Sequence, residues 1–211
     1  IDTELFASPD YLSVFQRELP IEWVKQALDE TNCASLRRRK LPAELVVWLT
    51  VGIGLYRNRP ITEVLSKLDL ALTDQMGTTV APSAIPQARQ RLTAAPLESL
   101  FNISATHWSE REDNSDTWNG LRLFSIDGTT LRCADTKETA EHFGYIRGWT
   151  GGHGEYPMVR LCALMSLRSR LIRDVKFGPS HTGEISYAKQ LIKSAPAHSL
   201  TILDRCYLSA E

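Results

Sequence analysis

Apolar residues recur at helical spacing through about residue 110 and at strand spacing from Leu121 onward. Pro20 and Pro42 each stand where a first helical turn tolerates a missing amide. The first opens a stretch with Ile21, Val24 and Leu28, the second one with Leu45, Val46, Trp48, Leu49 and Ile53, and each is expected to bury one face. Pro60 starts a further helix with Ile61, Val64, Leu65 and Leu68, and Ser83 precedes another with Ile85, Ala88 and Leu92. A last helix from Pro96 carries Leu97, Leu100, Phe101 and Trp108. The polar run from Glu110 to Gly120 reads as a linker.

Four strands are predicted after it: Leu121 to Ile126, Met158 to Leu167, Leu171 to Phe177 and Leu200 to Leu203, with a helix from Glu184 to Ser194 ahead of the last. Arg168-Ser169-Arg170 is short enough to join the second and third as an antiparallel hairpin, whereas the fourth follows a helical crossover and should lie parallel to a neighbour. The chain is thus α/β, a helical N-terminal domain over 1–110, a linker over 111–120 and a mixed-sheet domain over 121–211.

Composition sets ordinary bounds. At 211 residues, 43% hydrophobic, 23% charged and a net charge of −1, the chain suits one or two globular domains and not a disordered protein. Cys33, Cys133, Cys162 and Cys206 are scattered without a C-x-x-C, which points to neither a zinc site nor a disulfide framework and fits a reducing cytoplasm. Leu41 to Tyr56 is too short for a bilayer span and carries Glu44, so it reads as a buried core helix. The chain opens on Ile1 without a charged leader, and both ends read as cuts through a longer protein.

Charge is uneven along the chain: residues 35 to 95 hold nine Lys or Arg against four Asp or Glu, a net of +5. Arg37, Arg38, Arg39 and Lys40 form the densest basic run, and Gln87, Arg89 and Arg91 follow on a later helix. These side chains suit a phosphate backbone or base edges, and equally a solvated loop and the outer face of an amphipathic helix.

Asp127 follows the apolar run Phe124-Ser125-Ile126, and Asp204 follows Leu200-Thr201-Ile202-Leu203. If the fourth strand neighbours the first, the two carboxylates become adjacent, because paired strands lie ~4.8 Å apart. Two such acids can share divalent metal, and Mg²⁺ takes hard oxygen ligands, a few from protein and the rest from water and phosphate. Metal held there can neutralise phosphate oxygens, activate water and stabilise a leaving oxygen, the needs of phosphodiester cleavage. Taken singly, Asp127 is also a turn residue before Gly128, and Asp204 a helix N-cap ahead of Tyr207 and Leu208. His142 and His153, in the glycine-rich stretch between Thr130 and Tyr156, read as solvent-exposed, and Glu184 is open to two readings, a partner supporting the acid pair from behind and an acid stabilised by the backbone of a first helical turn, and is left unassigned.

Several stretches resemble the DDE transposases of bacterial insertion sequences, specifically the insertion-element-four group. LRRRKLPAELVVWLTVGIGLYRNRPITEVLSKL and APSAIPQARQRL are similar to that group's amino-terminal domain, and FSIDGTTLR and LTILDRCYLS to its first and second catalytic-acid motifs. The resemblance covers nearly the whole chain. It implies an RNase H-like (integrase-like) core, here its first part in the order strand, strand, strand, helix, strand. It also implies Mg²⁺ dependence with Mn²⁺ as a substitute, binding of double-stranded DNA at terminal inverted repeats and target sites, a homodimer in synapsis, no membrane, and a cytoplasmic, nucleoid-associated place in a bacterium. Carried over by position, Asp127 and Asp204 are the first and second metal-binding acids. Metal-activated water would then cut at the element ends, and the freed 3′ hydroxyl would attack a target strand.

Two departures stand out. The group usually has glycine two residues after the second acid, and Cys206 stands there instead. The third acid, a glutamate, belongs on a helix beyond residue 211, so the chain alone is expected not to cleave. A non-catalytic DNA-binding regulator derived from a transposase, an unrelated RNase H-like nuclease and a metal-free glycoside hydrolase with paired carboxylates remain as rival readings.

Overall fold

The computed structural model describes residues 17–34, 41–71, 81, 83–111, 117–147 and 153–208. The chain forms two compact units, Ile1–Ser104 and Ala105–Glu211.

The first unit is helical: α1 (Ile21–Glu30), α2 (Ala43–Leu55), α3 (Ile61–Ala71), α4 (Ala84–Leu92) and the start of α5 (Ala95–Glu110). Pro20 and Pro42 are N-cap residues of α1 and α2, positions that need no amide of their own. α1 buries Val24, Ala27 and Leu28 along one face. α2 is the buried core helix its apolar run suggested, and it buries more than the single face expected from its spacing: Ala43, Leu45, Val46, Val47, Trp48, Leu49 and Gly52 are all buried. A helix apolar on every side is a central element, and α2 packs against α1, α3 and α4. Gly52 lets α3 approach closely, since a Cβ there would lie 2.9 Å from Val64 Cγ1.

The second unit is built on a mixed five-stranded sheet. Its elements are β1 (Arg122–Arg132), α6 (Lys137–Phe143), β2 (Tyr145–Arg147), β3 (His153–Ser166), β4 (Ile172–Pro179), α7 (Glu184–Leu191) with a 3₁₀ turn (Ile192–Ser194), β5 (Ser199–Leu203) and a second 3₁₀ turn (Arg205–Tyr207). β1 lies between β3, which is antiparallel to it, and β5, which is parallel to it. β4 returns antiparallel on β3 through the tight connection expected of a hairpin, and β2 pairs with the first part of β3.

Three expectations need correction. α6 and β2 occupy a stretch read as loop, so the chain order is strand, helix, strand, strand, strand, helix, strand, and not three strands followed by helix and strand. Thr136 starts α6 through a reciprocal cap with Thr139, a local signal that the neighbouring glycines obscure. The first strand does not stop at Ile126. It runs to Arg132, because β-branched Thr129 and Thr130 continue the extended backbone and pair with Leu161 and Arg160. The crossover helix ends earlier than Ser194, at Leu191, and tightens into the 3₁₀ turn.

One face of the sheet builds the core of this unit. Phe124 and Ile126 of β1 and Cys162 and Leu164 of β3 pack with Tyr187, Ala188 and Leu191 of α7, and Ala195 and Tyr207 lie partly buried against them. Side chains alternate along a strand, so Asp127, Leu131, Phe177 and Ile202 share the opposite face. That face is apolar and open: Leu131, Phe177 and Ile202 are 51%, 63% and 51% exposed.

Candidate active site

The registers of β1 and β5 bring the two sequence-predicted acids together. The last parallel pair is Ile126 with Leu203, and the next residue on each strand is Asp127 and Asp204. Asp127 therefore lies within β1, paired on its other side with Ala163 of β3, and is not the turn residue its glycine neighbour suggested. Asp204 leaves the sheet at the same level and caps the 3₁₀ turn Arg205–Tyr207, its Oδ1 accepting from the Cys206 amide at 3.0 Å. Asp127 Oδ1 accepts from the Gly128 amide at 2.8 Å. Both residues are exposed.

Hard, exposed carboxylates at corresponding levels of neighbouring strands, one within β1 and one just past β5, are the donor chemistry Mg²⁺ or Mn²⁺ requires, and two acids leave most of the coordination sphere to water and phosphate. Among the described residues no three His, Cys, Asp or Glu side chains converge on one point. His142 is exposed at the end of α6, its ring edge-on to Phe143, His181 is exposed in the turn after β4, and His153 begins β3.

On the core side of the same strands lies a polar network that the sequence did not reveal. Glu184, first residue of α7, accepts from Arg160 Nη1 at 3.1 Å through Oε1 and from the Tyr207 hydroxyl at 3.3 Å through Oε2. The Tyr207 hydroxyl also lies 3.8 Å from Cys162 Sγ. Burial, and then its hydrogen bond with Cys162, raises the Tyr207 hydroxyl far above the ordinary phenol range, so it stays a donor. Burial likewise pushes the Cys162 thiol up. Partial removal from water, followed by the negative field of Asp204, Glu184 and Asp127, pushes up the Cys206 thiol. Nothing in the spacing of Arg160, Glu184 and Tyr207 marks them as partners; only the sheet register and the crossover helix bring them together.

Cys206 sits inside the 3₁₀ turn and is absent from the residues of positive φ, so the turn after the second acid is an ordinary one that does not require glycine.

Of the sequence-predicted DNA contacts, Arg37, Arg38, Arg39 and Lys40 lie outside the described residues. Gln87, Arg89 and Arg91 are exposed on α4, with Gln90 beside them, while Ile85, Ala88 and Leu92 are buried on its other side.

Residues 9–102 match the profile of the insertion element 4 transposase N-terminal family, and residues 118–211 match the transposase DDE domain. The protein named "Putative transposase InsZ" of Escherichia coli K12 is 35% identical over 204 residues, which span 96% of this chain and 67% of that protein. The transposase InsG for insertion sequence element IS4, from the same organism, is 35% identical over 188 residues, 89% of this chain and 42% of the relative. The chain belongs to the IS4 group of DDE transposases. No solved structure matches it.

Within this transposase family, both stretches holding the acid pair, Phe124–Arg132 and Leu200–Ser209, fall in the DDE-domain match. The basic run and α4 fall in the N-terminal match. Among the described residues no helix is long and apolar enough to cross a membrane.

Proposed function

We propose that the protein to which this chain belongs binds the ends of an insertion sequence and performs Mg²⁺-dependent phosphodiester cleavage and strand transfer. Asp127 and Asp204 are the first and second metal-holding acids, on the first part of an RNase H-like core. The observation that carries this reading is the register of β1 and β5, which puts the acids one residue past the shared Ile126–Leu203 pair. A main-chain N–H bond orients one oxygen of each carboxylate. Mg²⁺ bound there would neutralise phosphate oxygens, activate water and stabilise the leaving oxygen, and Mn²⁺ can substitute. The protein's own part is to hold the two acids at fixed separation before DNA arrives, so that little reorganisation is left for the reaction.

The exposed Gln87, Arg89 and Arg91 side chains of α4, and the Arg37 to Lys40 run, are the proposed contacts to double-stranded DNA, at terminal repeats and at the target. A homodimer would synapse two ends, in the bacterial cytoplasm at the nucleoid. The chain spans 67% and 42% of the two relatives, and with two positioned acids it is proposed to be inactive alone, the third being a glutamate of the parent.

The test is end cleavage by the full-length parent on repeat-bearing DNA with Mg²⁺. Asp127→Asn or Asp204→Asn should abolish cleavage and leave DNA binding intact. Normal cleavage by either variant overturns the assignment.

A further inference from the structure

We infer that Glu184 is a positioning residue: its carboxylate locks the Asp204 turn to β1 from the core side of the sheet, and so fixes the spacing of the acid pair. This rests on the proposed metal role of Asp127 and Asp204.

Three contacts converge on the one side chain. A Cβ on Gly128 would lie 2.6 Å from Glu184 Cδ and 2.8 Å from Oε1, so the carboxylate rests on the bare backbone directly after Asp127. Oε1 is held by Arg160, which pairs with Thr130 and so belongs to the strand on the far side of β1. Oε2 takes the Tyr207 hydroxyl, and Tyr207 closes the turn that Asp204 caps, its amide donating to the Asp204 carbonyl at 3.1 Å. One carboxylate thus touches the residue after the first acid and grips the turn that begins with the second.

Glu184 acts through these neighbours and not as a third ligand. Side chains alternate along β1, so the Gly128 position faces the core side where Glu184 sits, while Asp127 faces away. Both Glu184 oxygens are already committed to donors. The Arg160–Glu184 pair is partly buried, with side chains 23% and 28% exposed, which shields it from the screening that weakens surface pairs. Groups that orient metal ligands from behind commonly change metal affinity about 10- to 100-fold when removed.

The test uses Tyr207→Phe, which keeps the packed ring and deletes only the hydroxyl, and Glu184→Gln, which keeps the shape and deletes the charge. Amide hydrogen exchange on the metal-free chain reads the lock directly. Both variants should speed exchange at the Cys206 amide, which bonds the Asp204 carboxylate, by at least tenfold, while exchange in α1 to α4 and at the core amides of the β1–β3 ladder stays as in the wild type. Unchanged exchange at Cys206 overturns the inference, as does faster exchange spread over the whole second unit, which would mean a merely structural role. Mn²⁺ titration by electron paramagnetic resonance supplies the second readout, with affinity falling about 10- to 100-fold in each variant and no further in the double variant. Wild-type Mn²⁺ affinity in both variants, with binding lost in Asp127→Asn, overturns the positioning role alone. Wild-type Mn²⁺ affinity in Asp127→Asn overturns the metal-site reading instead.

Discussion

Ile126 and Leu203 are cross-strand partners on parallel strands, and an aspartate follows each of them. Ile126 is buried in the core while Leu203 is 37% exposed, and the acids that follow are both exposed, so the strand pairing that anchors β5 beside the buried Ile126 also sets the separation of the carboxylates.

Asp204 has a structural duty and a proposed chemical one, and two substitutions separate them. Asparagine can still cap the 3₁₀ turn, so Asp204→Asn should stay within about 0.5 kcal/mol of the wild type in urea denaturation while Mn²⁺ binding falls. Asp204→Ala loses the cap as well and should cost ~0.5–2 kcal/mol.

Gly128→Ala should destabilise the chain by ~1–3 kcal/mol, because the new methyl would collide with the Glu184 carboxylate. In a Glu184→Ala background most of that cost should vanish. Denaturation of the two single variants and the double variant measures the coupling; additive effects would mean the strain lies elsewhere.

The exposed arginines of α4 should bind DNA electrostatically. Arg89→Ala and Arg91→Ala should each weaken binding to all sequences alike and reduce the slope of log K against log salt by about 0.9 per lost phosphate contact. Circular dichroism should remain unchanged, since neither side chain is part of the buried Ile85, Ala88 and Leu92 face.

Partial removal from water, and then the carboxylates near it, disfavour the Cys206 thiolate, so at a given pH less of the reactive form is present. Its alkylation midpoint should lie above the ~8.5 of an ordinary thiol. Asp204→Asn removes one of those charges and should lower the midpoint, and saturating Mg²⁺ should lower it in the wild type too. Mass-resolved alkylation across a pH series checks both shifts.

The acid pair was legible in the sequence because it depends on local pattern: two apolar runs, each followed by an aspartate, with a helical crossover ahead of the second. The extent of β1 was not, since Asp127-Gly128 is as good a turn as it is a strand interior, and only pairing of Thr129 and Thr130 with β3 decides between them. α6 and β2 are 7 and 3 residues long, too short for periodicity to register. The broad burial of α2 follows from its three helical neighbours; its apolar composition already marked it as a core helix, whereas spacing alone suggested a single buried face. Arg160, Glu184 and Tyr207 meet only through the tertiary fold, and no spacing rule links residues on a strand, a helix start and a turn.

The open apolar face of the sheet carries a practical consequence for every measurement on this chain. Leu131, Phe177 and Ile202 present greasy surface to water on the face that also carries Asp127, and such surface favours self-association as concentration rises. Light scattering should show particles growing with protein concentration, and Phe177→Lys should suppress the growth without loosening the Phe124 to Leu191 core. Metal titrations run on the clumped material would then report a site partly occluded by its own neighbours, so the dilute regime is where the two aspartates can be judged.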